Sequence, residues 1–215
     1  MTVETILKYG VRILIIFMVL PIHEFAHAFA ARKLGDRTAE NMGRLTLNPI
    51  SHIDPIGAIC LVLAGFGWAK PVPINPNRFK HIKSGTIITA LAGPLSNIIV
   101  AYIALVIYKF VYYFTVSSVT QTIYYIWIIL QYFVLINLSL AVFNLIPIPP
   151  LDGSRVLTVF LPLKYQWKLQ QYQMYISIGF MVLILFGVLD TPLNWLSNLL
   201  FNCIDFLSRW VDLIF

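Results

Sequence analysis

The stretch His23-Glu24-Phe25-Ala26-His27 places two imidazoles four residues apart with a carboxylate beside the first. On a helix, residues i and i+4 share a face, so both imidazoles can reach one metal ion. Glu24 then stands where it could take a proton from a water on that ion. Zinc hydrolases commonly use three protein ligands and keep a fourth position for water, so a third ligand must come from elsewhere. Asp152 is the only carboxylate between Asp54 and Asp190, and it closes the run Asn144-Leu145-Ile146-Pro147-Ile148-Pro149-Pro150-Leu151-Asp152-Gly153. Prolines there would end a helix and free its backbone, and Gly153 would permit a close turn. Taken alone, Asp152 reads as a helix cap; beside the His-Glu-His stretch it reads as the missing ligand.

The elements that hold these residues are set by composition. Hydrophobic residues make up 59% of the 215 and charged residues 11%, against roughly 25% charged in a soluble domain. Such a chain could not cover its own surface with polar groups and belongs in a lipid bilayer. A hydrocarbon core about 30 Å thick takes roughly 20 apolar residues as helix. Residues 5–34, 85–114 and 120–146 meet that length, and 172–189 predicts a fourth span. Residues 55–68 are apolar but short, which suits a re-entrant or half-membrane helix. Along 193–215 the polar residues Asn194, Asn198, Asn202, Asp205, Arg209 and Asp212 form one helical stripe. That helix lies in the interface, the reading preferred here, or spans with its stripe against protein. Between the first two long helices, Gly43–Pro49 and Pro71–Pro76 alternate and are broken by prolines, predicting a small β-hairpin-like insertion. The expected fold is an all-α polytopic membrane protein, a bundle of four to six transmembrane or re-entrant helices carrying that insertion. One membrane-embedded domain is expected over 1–215, with a catalytic core at about 5–163 and C-terminal helices at about 165–215.

Ionisable groups inside a spanning helix cost about 2.5–3.5 kcal/mol each on insertion scales. Three polar residues within five in the first long helix therefore call for a compensating partner, and a metal ion supplies one; a polar cluster packed against neighbouring helices is the plainer alternative. The formal charge of +6 does not point to nucleic acid, because eleven of the 15 basic residues fall in the loops at 32–44, 70–83 and 155–168. By the positive-inside rule these loops face the cytoplasm. With the first helix running inwards, His23 and His27 lie in its cytoplasmic half, and two further crossings return Asp152 to the same side. Cys60 and Cys203 lie in apolar surroundings with no metal-type spacing and read as buried free thiols. The N-terminal run resembles a signal peptide, but Glu4 spoils its basic region, and cleavage after Ala30 would discard both histidines. His52 would close the metal site if it were a fourth ligand, so it reads as a loop residue; His81, near Lys80 and Lys83, reads as a surface histidine.

His-Glu-Phe-Ala-His in a membrane helix, followed by Asn-Leu-Ile-Pro-Ile-Pro-Pro-Leu-Asp-Gly, resembles the site-2 protease family of intramembrane zinc metalloproteases. The resemblance covers about 5–163 and departs from the family pattern at Leu145-Ile146, before the first proline. The stretch 66–76 resembles a compact branch without PDZ or cystathionine-synthase-type domains. What the resemblance implies is an endopeptidase with one zinc ion on His23, His27 and Asp152 and with Glu24 as general base. It would act in regulated intramembrane proteolysis, cutting within or near transmembrane segments. The implied partners are the lipid bilayer and a single-pass membrane protein, or the stub left by an earlier cut. The implied location is the plasma membrane, with the site toward the cytoplasm. Gly93-Pro94-Leu95-Ser96-Asn97 matches a Gly-x-x-x-Asn spacing of the family, giving Asn97 either a packing role or a contact with substrate. Asn144 could donate to an oxyanion or satisfy backbone near the prolines. A metal transporter would show inverted repeats or paired broken helices, and neither motif has a second copy. A non-catalytic adaptor could have lost Glu24 or Asp152, and both are present.

Overall fold

The computed structural model describes residues 3–64 and 67–215; Gly65 and Phe66, inside the expected 55–68 segment, lie outside the described residues. Helix α1 (Val3–Leu14) continues through one π-helical turn (Ile15–Val19) into α2 (Leu20–Lys33). Pro21, at the start of α2, has no N–H to give to the preceding turn, and a wider turn absorbs that missing bond. A short α3 (Thr38–Asn41), a loop and α4 (Pro55–Ala64) follow, and then a second loop leads to α5 (Ile82–Thr115). Next come α6 (Gln121–Leu145), α7 (Asp152–Phe160), α8 (Leu163–Leu185) and α9 (Asp190–Asp212). Among the described residues, three helices are long and apolar enough to cross a membrane: Tyr9–Lys33, Ile82–Ser118 and Gln121–Leu145.

Helices α5 and α6 pack along their length, joined by a three-residue 3-10 turn and the Thr120 cap, whose hydroxyl accepts from Ile123 N. Their contact is built on small and medium residues, with Ala101, Ala104 and Leu105 facing Val134 and Leu138, and Ile204 of α9 completes the cluster. Small residues matter here because lipid gives no hydrophobic drive between helices, so association depends on close packing. Lys109 Nζ of α5 reaches Asp205 (2.9 Å) and Asp212 (2.8 Å) of α9. These contacts seat α9 against α5 and α6, where the sequence reading preferred an interfacial helix. Of its polar stripe, Asp205 and Asp212 turn to Lys109, while Asn194, Asn198 and Asn202 stay exposed.

The expected fourth span at 172–189 falls on a bent helix pair, which makes a fourth span if its two members cross together. Those residues belong to α8 and the turn after it, and α8 meets α9 at 84°, so the two together form a broken span or a re-entrant pair. The polar first half of α8 (Lys164, Gln166, Lys168, Gln170, Gln173) is what keeps it from crossing alone.

The expected β-hairpin is corrected. Among the described residues there is no strand, only one isolated antiparallel bridge between Ile53 and Ala69. The reason is chemical. Pro49, Pro71, Pro73 and Pro76 cannot donate to a ladder, and Asn48 and Asn75 instead cap 3-10 turns by accepting from Ile50 N and Asn77 N, both at 3.1 Å. Lys70 N meets His52 O beside that bridge, and further along the extended 70–75 segment N–H groups go to side chains, Val72 on Glu24 and Asn75 on Asp36. Among the described residues, the 55–68 segment forms helix over Pro55–Ala64, ten residues and about 15 Å long, half the depth of a bilayer core. Arg12 of α1 donates to the carbonyls of Val62 and Leu63 at its C-terminal end. The two cysteines, expected to be buried, are not: Cys60 is half-buried and Cys203 exposed.

Candidate metal centre

The first contribution comes from α2. His23 and His27 stand one turn apart on its buried face, each 4% exposed. The second comes from α7. The proline-rich turn after α6 reverses the chain so that Asp152 begins a new helix, in the first turn where a carboxylate is favoured by the helix dipole. This reversal presses α7 onto the end of α6, and a Cβ on Gly153 would lie 2.6 Å from Ile146 O; only glycine fits. Asp152 Oδ2 then lies 3.1 Å from His23 Nε2 and 3.0 Å from His27 Nε2, and the two Nε2 atoms are 3.0 Å apart. No other group of three or more such side chains converges among the described residues.

Two imidazole nitrogens and one carboxylate oxygen are a donor set typical of zinc. Two ligands of a tetrahedral zinc at about 2.0–2.1 Å stand about 3.3–3.4 Å apart. The triangle found here, with edges of 3.0–3.1 Å, needs to open by only a few tenths of an ångström. The residues fit the ion.

Helix α5 backs both imidazoles. His27 Nδ1 donates to Thr89 O at 2.7 Å, and Asn97 places its amide 3.2 Å from His23 Nδ1. Between them, Gly93 faces the Nε2 atoms directly: a Cβ there would lie 2.6 Å from His23 Nε2 and closer still to His27 Nε2. Thr89 was missed by sequence reasoning, and its signal was the four-residue spacing Thr89–Gly93–Asn97, one stripe along a helix.

Glu24, half-buried, turns to the loop before α5, where its Oε2 accepts from Val72 N at 2.8 Å. That loop is pinned a second time by Asp36, which is fully buried and accepts from Asn75 N (2.6 Å), Thr38 N (2.9 Å) and Thr38 Oγ1 (2.5 Å). Asp36 carried no motif, and the 66–76 stretch that holds Val72 gave no sign that its backbone N–H meets Glu24. Burial alone would raise the Asp36 carboxyl; the bonds from Thr38 and Asn75 and the charge of Arg78 outweigh it and hold the group below its usual range. A depressed folded value means that the stabilisation is present above about pH 4 and is lost as pH falls through the folded value. Asp36→Ala should leave buried N–H groups unpaired at a cost of about 1–3 kcal/mol. The expected result is a lower melting temperature and reduced turnover at unchanged zinc content. Unchanged melting would show that the loop is held by other contacts.

Asn144 lies apart. Its Nδ2 donates to Leu140 O of its own helix at 3.0 Å, and no hydrogen bond joins it to His23, His27 or Asp152 among the described residues. His52 is 1% exposed and staples its own loop, with Nε2 donating to Thr46 O at 2.7 Å. His81 is exposed at the start of α5.

Comparison with known proteins bears on the same residues. The family described as Peptidase family M50 matches residues 115–186, a stretch that includes Asp152. A Bacillus subtilis (strain 168) protein named "Putative zinc metalloprotease YwhC" is 41% identical over 168 residues, covering 75% of this chain and 74% of that protein. "Putative zinc metalloprotease Rip2" of Mycolicibacterium smegmatis is 27% identical over 213 residues, covering 95% and 78%. "Zinc metalloprotease MJ0392" of Methanocaldococcus jannaschii is 26% identical over 185 residues, covering 85% of this chain and 44% of that protein. No solved structure matches the chain.

Proposed function

The chain belongs to peptidase family M50, the site-2 protease family, and from that premise we propose that it hydrolyses peptide bonds within or near the transmembrane segments of other membrane proteins. It is an integral membrane zinc metallopeptidase. In this reading His23, His27 and Asp152 hold one zinc ion per chain, and 1–215 works as one membrane-embedded domain. The observation that carries it is the convergence of three donor atoms within 3.0–3.1 Å of one another from positions 125 and 129 residues apart.

Zinc, when bound, supplies Lewis acidity, making water acidic enough to ionise near neutral pH and polarising a carbonyl. Everything else falls to the chain. Glu24, one of whose oxygens accepts from Val72 N–H, keeps free lone pairs to take the attacking water's proton, and then delivers it to the leaving amine. The Val72 bond limits the rotation of the carboxylate. Asn144 remains the candidate for the developing oxyanion, since its amide nitrogen has a second hydrogen beyond the one given to Leu140 O.

A transmembrane helix hides its peptide bonds in its own hydrogen bonds, so a substrate must unwind before attack. An unwound segment could pair with extended backbone by strand addition. Of the two candidates, 72–74 has Val72 N engaged and Pro73 without an N–H, whereas the N–H groups of Leu45 and Leu47 carry no hydrogen bond among the described residues. A cavity of about 520 Å³ between the 74–79 loop, α5 and α7, which reaches Thr89, offers room beside the site. The basic loops at 32–44, 70–83 and 155–168 favour a cytoplasmic position for this face in the plasma membrane.

The test is cleavage of a single-pass membrane reporter by the detergent-purified protein. Activity should stop on zinc chelation and return on adding zinc, at one ion per chain. Cleavage that survives complete removal of metal would overturn the reading.

A further inference from the structure

A histidine that binds a metal through Nε2 must carry its hydrogen on Nδ1, because a neutral imidazole has one donor and one acceptor nitrogen. His27 meets this demand visibly, with Nδ1–H donating to Thr89 O at 2.7 Å. His23 needs the same service at its own Nδ1, and the atom opposite is an amide nitrogen, Asn97 Nδ2, at 3.2 Å. An amide nitrogen has no lone pair to accept that hydrogen. At the same time Asn97 Oδ1 is buried with no partner, on a residue that is 0% exposed. Turning the amide by half a revolution, an orientation that differs only in exchanging oxygen for nitrogen, sets Oδ1 against Nδ1–H and gives that oxygen a donor.

We propose that Asn97 is the positioning residue for His23, its Oδ1 accepting from Nδ1–H and so directing the Nε2 lone pair toward the metal. This rests on the reading of His23 and His27 as zinc ligands. Helix α5 then serves both imidazoles from one stripe at four-residue intervals: a backbone carbonyl at Thr89, an open space at Gly93 and an amide oxygen at Asn97. The three depend on one another. Gly93 lets α5 approach until the two acceptors reach the Nδ1 atoms, and the acceptors hold the rings so that both Nε2 atoms face Asp152. Asn97 thereby acts through His23 and not on substrate. A partner that orients a ligating imidazole typically contributes 10–100-fold to metal affinity.

The experiment measures the zinc dissociation constant of the full chain in detergent by competition with a chelator. It also records the visible spectrum of the cobalt-substituted protein. Asn97→Leu, which has no acceptor, should weaken zinc binding by about 10–100-fold and alter the cobalt spectrum. Asn97→Asp, which offers only acceptors, should bind zinc at least as tightly as wild type. Zinc affinity in Asn97→Leu equal to wild type, with turnover alone reduced, would place Asn97 on the substrate and overturn the proposal. Should Asn97→Leu not fold, the aspartate variant decides: affinity at or above wild type supports the proposal, and a clear loss overturns it. A wild type that binds no zinc, or an Asp152→Ala variant with undiminished zinc, would instead strike the reading of the site itself.

Discussion

Gly93→Ala is expected to lose zinc and activity together while the helices remain folded. The added methyl would sit 2.6 Å from His23 Nε2 and Cε1 and closer to His27 Nε2, in the space where the donor atoms converge. Neither ring can simply step aside. His27 is tied through Nδ1 to Thr89 O, and His23 lies against the Asn97 amide. Relief requires moving α2 away from α5 or breaking those bonds. A ligand displaced by about 1 Å can cost on the order of 100-fold in turnover, and losing the bonds that orient the rings costs a further 10–100-fold in metal affinity. Zinc affinity and reporter cleavage, with circular dichroism to confirm helix content, would measure this. Gly179→Ala is the control, because a Cβ there meets nothing within 4 Å. A Gly93→Ala protein with full zinc and normal turnover would mean that α5 does not press on the site as described.

Glu24→Gln should separate chemistry from metal binding. Loss of a general base typically costs about 10²–10⁴-fold, and the amide cannot take the water's proton. Zinc content should stay at the wild-type level, because Glu24 is not among the three converging donors. The loop should also stay in place, since the glutamine carbonyl oxygen can still accept from Val72 N. Asp152→Ala should do the reverse first, lowering zinc affinity and losing activity as a consequence. Elemental analysis beside single-turnover cleavage distinguishes the two. Retained turnover in Glu24→Gln would remove it as the base, and lost zinc would recast it as a ligand.

Much of the fold was legible because lipid imposes simple rules. Apolar length marked the helices at 5–34, 85–114 and 120–146, which correspond to Tyr9–Lys33, Ile82–Ser118 and Gln121–Leu145. At 172–189 the same rule marked the second half of a helix whose first half is polar, and the bend to α9, with which it forms the fourth candidate span, is visible only in three dimensions. The hairpin failed for a different reason. Alternation suggested strands, but a ladder needs donors on both sides, and the prolines together with Glu24 and Asp36 had already claimed them. Helix α9 was ambiguous because a polar stripe does not state what covers it; Lys109 on α5 answered for Asp205 and Asp212.

By itself the sequence determined the residue types of the centre, since two histidines at helical spacing with an adjacent carboxylate leave few chemical uses inside a membrane helix. It also determined that the chain lives in lipid and that Asp152, the one carboxylate between Asp54 and Asp190, was available to complete the set. The tertiary structure decided what holds those groups in place. Thr89 contributes a backbone carbonyl, Gly93 the absence of a side chain and Val72 a backbone N–H. The Thr89 carbonyl and the Val72 N–H are backbone groups that every such residue carries, so residue type does not mark them, and a glycine in the sequence does not say which helix it lets approach. They act only because close packing of α5 on α2, and of the proline-broken loop on Glu24, brings backbone atoms within hydrogen-bond reach of side chains tens of residues away.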